Sequence, residues 1–170
     1  MNNLIDRFDV ELLANLLGEN NYSAVYARVI KMDQSSGWIL YIKGICEDCL
    51  GNPYEALHSF KKALLIDPYN YDYIKAVTTN LNIFRRILLD ALYDQEVGLG
   101  EIEKIHRFIK GAGELNSSLQ YLVIKNYVIR GCYKEAEELL SNFLMNNPSD
   151  EEALSLERII NLKGNNPMAS

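Results

Sequence analysis

Residues 37–70 read GWILYIKGICEDCLGNPYEALHSFKKALLIDPYN. Two apolar patterns at helical spacing meet at Leu50-Gly51-Asn52-Pro53, and the second stops at Asp67-Pro68. Proline is tolerated at the first position of a helix, where its missing N–H costs nothing, but not further in. Pro53 therefore opens the second helix, and Pro68 cannot continue the helix that Asp67 closes. The whole stretch is one helix-turn-helix pair. A length of about 34 residues for such a pair signals stacked repeats, because one pair cannot bury its apolar face alone.

Within the pair, Gly44, Ala56, Phe60, Ala63 and Pro68 stand at particular intervals. Gly44 and Ala56 lack bulk, so two antiparallel helices can approach closely where they cross, and Phe60 is expected to fill the space toward the next helix. This spacing resembles the tetratricopeptide repeat, which places a glycine, two alanines, an aromatic and a proline at these intervals. The resemblance implies an all-α fold: a right-handed superhelical solenoid of antiparallel helix pairs with a C-terminal capping helix.

Working backwards, residues 3–36 read as a weaker copy. Leu12, Leu13, Leu16 and Leu17 form one apolar face, Gly18-Glu19-Asn20-Asn21 makes a turn, and Tyr22 to Met32 forms the second helix. Tyr26 falls one period before Phe60; Tyr22 replaces the small residue of the crossing, and Gln34 the proline. Working forwards, Gly51, Glu55, Ala56 and Pro68 recur as Gly131, Glu135, Ala136 and Pro148, all at the same displacement. Two periods taken from that displacement leave twelve residues over, placed at 71–82, which gives a third repeat at 83–116 and a fourth at 117–150.

No proline or glycine interrupts residues 71–97. The surplus therefore lengthens the first helix of the third repeat at its amino end, to about 25 residues against a mean of about 11–12. Gly98-Leu99-Gly100 supplies the turn of that repeat, and Ile102 and His106 take the places of its small residue and its aromatic. Ser149 with Glu152 three residues later reads as a capping box, and Glu151 and Glu152 suit the positive end of a helix dipole. A capping helix over 151–163, apolar at Ala153, Leu154, Leu156, Ile159, Ile160 and Leu162, meets Gly164 as its C′ residue. One repeat domain over 1–164 and a disordered tail at 165–170 follow.

The chain has 170 residues, 48% hydrophobic and 24% charged, which is a globular balance rather than a disordered one. A net charge of −6 opposes binding to nucleic-acid phosphates, which needs a basic face. The amino terminus carries Asp6, Asp9 and Glu11 where a secretory signal is uncharged, and no stretch approaches the ~20 apolar residues of a membrane span. A cytoplasmic protein without membrane insertion is expected.

Candidate chemistry is sparse. Cys46 and Cys49 have metal or redox spacing, but Cys132, His58 and His106 do not form a second ligand pair, and the two cysteines fall within a helix. Small apolar side chains are the expected reading, with no metal and no cofactor. There is no phosphate loop, nucleophile elbow or zincin motif, so no catalytic residue is expected. Glu137-Glu138 and Glu151-Glu152 read as ordinary solvated helix residues, and His106 as a core histidine.

In the tetratricopeptide family the first helix of each repeat lines a concave groove. Carried onto this chain, that implies Trp38, Tyr41, Ile42 and Ile45 from the second repeat, Phe84 and Leu88 from the third, and Tyr121, Leu122 and Lys125 from the fourth. Tyr41 and Ile45 occupy the places of the Lys and Asn with which some members clamp a peptide carboxylate, so that activity is not implied. An apolar, aromatic groove suits a hydrophobic segment of a protein or peptide partner. The same residues could instead be covered by residues 71–82 or by a second copy of the chain in a homodimer. The expected function is a non-catalytic adaptor or scaffold. A chaperone for an aggregation-prone partner is the alternative, by similarity to the small acidic tetratricopeptide chaperones of bacterial type III secretion, with a non-catalytic helical domain of an enzyme complex as a third.

Overall fold

A computed structural model describes residues 7–93, 97–111 and 117–164. Among them the chain forms nine helices and no strand: α1 (Arg7–Gly18), α2 (Tyr22–Val29), α3 (Gly37–Cys49), α4 (Pro53–Ile66), α5 (Tyr71–Tyr93), α6 (Leu99–Gly111), α7 (Ser117–Ile129), α8 (Tyr133–Asn146) and α9 (Glu151–Gly164). The all-α expectation holds. The chain divides into two compact units, residues 1–83 and 84–170, with the division inside α5. The expected tail at 165–170 lies outside the described residues.

The first unit is built around the crossing of α3 and α4. Gly44 lies directly beneath the ring of Phe60: a Cβ at Gly44 would stand 2.5 Å from Cε1 and 2.6 Å from Cδ1. Phe60 thus packs onto the glycine of its own pair, whereas the sequence predicts it directed toward the next helix. Ala56 and Ala63 are fully buried on the same face of α4. Phe60 also meets Tyr41 at 5.9 Å between ring centroids, and Tyr41 meets Tyr73 of α5 at 5.1 Å. A second close approach lies at Gly37, where a Cβ would come within 3.2 Å of the Tyr73 ring.

The surplus residues 71–82 do lengthen one helix: α5, Tyr71–Tyr93, has 23 residues. Its first half is packed rather than projecting: Tyr73, Val77 and Asn80 are buried, and Tyr73 joins Leu40 and Ala63 in one cluster.

The first pair corrects the predicted register. Asn20 takes a positive φ of 55°, as Gly51 does at 80°, and the two turns share one hydrogen-bond pattern. Asn21 N–H bonds Leu16 O and Asn20 N–H bonds Leu17 O; Asn52 N–H bonds Glu47 O and Gly51 N–H bonds Asp48 O. Each is a Schellman end, with a left-handed residue that lets two N–H groups satisfy carbonyls of the last turn. Asn20 and Gly51 are closer together in sequence than one full period. In that shorter register Leu13, Val25 and Val29, all fully buried, stand for Gly44, Ala56 and Phe60. Tyr22 and Tyr26 are therefore not at the crossing. Helix α2 stops at Val29, short of the expected Met32, because the Gln34 amide donates to Val29 O at 2.7 Å and to Met32 O at 3.0 Å. Gln34 satisfies terminal carbonyls where the α3–α4 and α7–α8 pairs end at Pro68 and Pro148.

In the second unit the recurrence of the Gly51 turn is exact in structure. Gly131 has φ +75°, Cys132 N–H bonds Tyr127 O, and Ala136 is fully buried. Gly98-Leu99-Gly100 is not a free turn, since α6 begins at Leu99 and places Glu101 in its first turn. The cap of α9 is also one residue later than predicted: Asp150, not Ser149, accepts from Ala153 N at 2.9 Å. The apolar stripe of α9 is narrower than expected, with Ala153, Leu156 and Ile160 buried and Ile159 and Leu162 exposed.

A polar network ties α7 to the end of α5. Asn126, fully buried, donates through Nδ2 to Leu88 O and Leu122 O, both at 2.9 Å. Arg130 Nη1 donates to Asn126 Oδ1 at 2.9 Å, while Nη2 donates to Ala91 O at 3.1 Å and Val97 O at 2.7 Å. The guanidinium thereby joins the Ala91 carbonyl of α5 to the Val97 carbonyl that precedes α6.

Gly44→Ala forces the Phe60 ring to move and is expected to cost about 1–3 kcal/mol in chemical denaturation. Lys134→Ala, at an exposed position, is expected to stay within about 0.5 kcal/mol of the parent. Unchanged stability of Gly44→Ala would mean that α3 and α4 do not cross closely at this point.

Candidate functional site

The nine predicted partner-facing residues separate into two groups. Ile42, Phe84, Leu88 and Leu122 are buried, Phe84 and Leu88 completely, and offer no surface to a partner. For Ile42 and Leu122 the cause is that α3 and α7 are apolar on nearly every side, and such helices are enclosed rather than one-faced, whereas Phe84 and Leu88 lie on the buried face of α5. Helix α7 buries Leu119, Leu122, Val123, Ile124, Asn126, Tyr127 and Val128. The remaining five, Trp38, Tyr41, Ile45, Tyr121 and Lys125, are half-buried.

In the first unit, Trp38, Tyr41 and Ile45 rest on the cluster of Leu13, Val25, Val29, Ile39, Ile42 and Cys46. Tyr41 is held between Phe60 and Tyr73, so residues from 71–82 do cover part of it. Burial, and then the charge of Asp72, raise the pKa of Tyr41 above the usual tyrosine value. Asp48, on the same helix, accepts from the Asn80 amide at 3.4 Å.

In the second unit, Tyr121 packs on Phe143 at 5.9 Å between ring centroids, and Lys125 Nζ lies 5.3 Å from the centre of the Tyr121 ring. These two side chains of α7 and Glu151, Glu152, Ser155 and Leu156 of α9 line an open recess of about 400 Å³. Burial, then a hydrogen bond to the Glu152 carboxylate, raise the pKa of Tyr121 well above the ordinary value. Glu152 is thus engaged with a predicted site residue, whereas the sequence reads it as a plain solvated acid. Its position in the first turn of α9, two helices beyond Tyr121, left no local signal of that contact.

A buried charge cluster lies elsewhere in the first unit. Lys43 Nζ approaches Glu47 Oε1 at 3.1 Å and donates to Ser59 Oγ at 3.2 Å, and Ser59 Oγ donates to Glu47 Oε2 at 2.6 Å. A serine beside a lysine has the form of a nucleophile and its base. Ser59 is wholly buried, however, so no substrate reaches its oxygen, and Glu47 is only 2% exposed. The arrangement satisfies a buried carboxylate across the α3–α4 crossing, where removal of one partner leaves an uncompensated charge.

Cys46 is buried and Cys49 exposed, and no group of three metal-ligating side chains occurs among the described residues. The Tyr22 hydroxyl donates to Asn20 Oδ1 at 2.8 Å, and hydrogen-bond contact with Cys49 raises the Tyr22 pKa. Burial pushes the Cys46 thiol up to about 11. No helix among the described residues is long and apolar enough to cross a membrane. Compared with protein-family models, curated proteins and solved structures, the chain matches none.

Thiol reactivity follows from these environments. In the native protein Cys49 is expected to react with a small disulfide reagent at least ~100-fold faster than Cys46, since only the thiolate attacks and Cys46 is both buried and poorly ionised. Equal rates would mean that α3 is not packed as described.

Proposed function

We propose that this chain is a non-catalytic adaptor that holds a segment of a partner polypeptide against the first helices of tetratricopeptide-like pairs. In this reading the pairs stack as a short right-handed solenoid closed by α9. The recurrence of the Gly51 turn at Gly131 and of buried Ala56 at Ala136 supports that stacking. The observation that carries the function is the recess between α7 and α9. There the half-buried Tyr121 ring, the Lys125 ammonium and the Glu152 carboxylate converge from two helices around a space large enough for a side chain of another protein. Rigid aromatic side chains of this kind anchor interfaces, because they bury much apolar area at little entropic cost.

Tyr121 and Lys125 remain from the predicted set as anchors in the second unit, and Trp38, Tyr41 and Ile45 in the first. Glu152, Ser155 and Leu156 join the former. The four core residues among the predicted set support the faces from beneath and do not touch a partner.

Affinity capture from the native cell, followed by identification and titration of what is retained, tests this reading. Tyr121→Ala is expected to weaken the retained partner by at least ~2 kcal/mol. Ser155→Trp, which fills the recess from an exposed position, is expected to do the same with unchanged helical circular dichroism. A partner retained equally by both variants would move the binding surface away from the recess.

A further inference from the structure

Helix α6 fully buries Ile102, Ile105 and Ile109, spaced three and four residues apart on one face. His106 stands at the flank of that stripe, one turn after Ile102. Its ring meets Tyr127 of α7 edge-on, with centroids 6.4 Å apart and planes at 81°. Its Nε2 has no accessible surface and no hydrogen-bond partner.

His106 as a whole is half-buried, but the burial of its Nε2 favours the neutral form of the side chain. A neutral imidazole can present a lone pair at Nε2, whereas an imidazolium carries N–H at both nitrogens. Protonation would place a charged donor where nothing accepts it, and an unpaired buried charge costs far more than an unpaired lone pair. The charges around the site do not relieve this. Lys110, one turn further along α6, acts on the ring and repels a second cation. Glu103 and Arg107 of α6, Cys132 at the start of α8 and Glu135 within it act on Tyr127, and none of them accepts from Nε2.

We infer that His106 is an acid-operated latch: neutral, it lets α6 seal against α7; protonated, it releases α6 and exposes the isoleucine stripe. Burial, and after it Lys110, lower the pKa of His106. The folded-state value therefore lies below the ~6.5 of an unperturbed histidine, and the released or unfolded chain takes up the proton first. The contribution to stability is complete above the ordinary value and is lost as pH falls through the folded-state value.

Hydrogen exchange of the full chain between about pH 7.5 and about pH 5, corrected for intrinsic rates, tests the latch. Protection of α6 amides is expected to fall at least ~10-fold relative to those of α4 across that window. His106→Phe should abolish the fall, and His58→Gln should leave it intact. Should the Phe variant fold poorly, the ring resonances of His106 in the parent decide the matter by titrating below ~6.5. The inference is overturned if His106 titrates at or above that value, if α6 keeps its protection in acid, or if all helices lose protection together.

Discussion

The contact between Gly44 and the ring of Phe60 sets the spacing on which the first unit depends. With 2.5 Å between a notional Cβ and the ring, no other residue fits at Gly44 without displacement. The approach it permits brings Ser59 of α4 within hydrogen-bond reach of Glu47 and Lys43 of α3, and so makes a buried carboxylate tolerable. It also fixes Phe60 against Tyr41, which in turn receives Tyr73. The second unit reaches a similar end by other means. Ile124 takes the place of Gly44, and the buried Asn126 amide of α7 with the Arg130 guanidinium just beyond that helix, rather than a serine bonded across its own pair, tie it to its neighbour.

The sequence was most legible where a residue type has one physical use. Pro53 at a helix start and the glycines of the two matching turns announced their roles locally, and the structure places Gly51 and Gly131 at positive φ. The first pair was misread because Asn20 can also adopt that conformation, and an asparagine in a run of polar residues does not advertise it. By residue type Tyr26, rather than Val29, matches Phe60. The Asp150 cap was displaced by one residue because serine and aspartate are both good N-caps and adjacent here, and only the bond to Ala153 distinguishes them.

The candidate site was half legible. Position within a helix picks out Tyr121 and Lys125, which line the recess, but it does not separate half-buried residues from the enclosed Phe84, Leu88 and Leu122, because enclosure depends on how many neighbours a helix acquires. An available signal lay in the composition of α7, apolar all round and hence unsuited to an open face. Contacts between distant polar residues, such as Tyr121 with Glu152 or Arg130 with Ala91, had no signal at all. Long side chains on exposed-looking positions acquire partners only when the chain folds.

The packing of Phe60 on Gly44 is accessible to one direct measurement, the proton chemical shifts of Gly44 in the native protein. A glycine beneath the face of an aromatic ring experiences its ring current. The Gly44 α-protons are therefore expected to be displaced from the values of the unfolded chain, with nuclear Overhauser contacts to the Phe60 ring. Gly44 α-protons at unfolded-chain positions, with no contact to Phe60, would contradict the crossing on which the rest of the first unit is built.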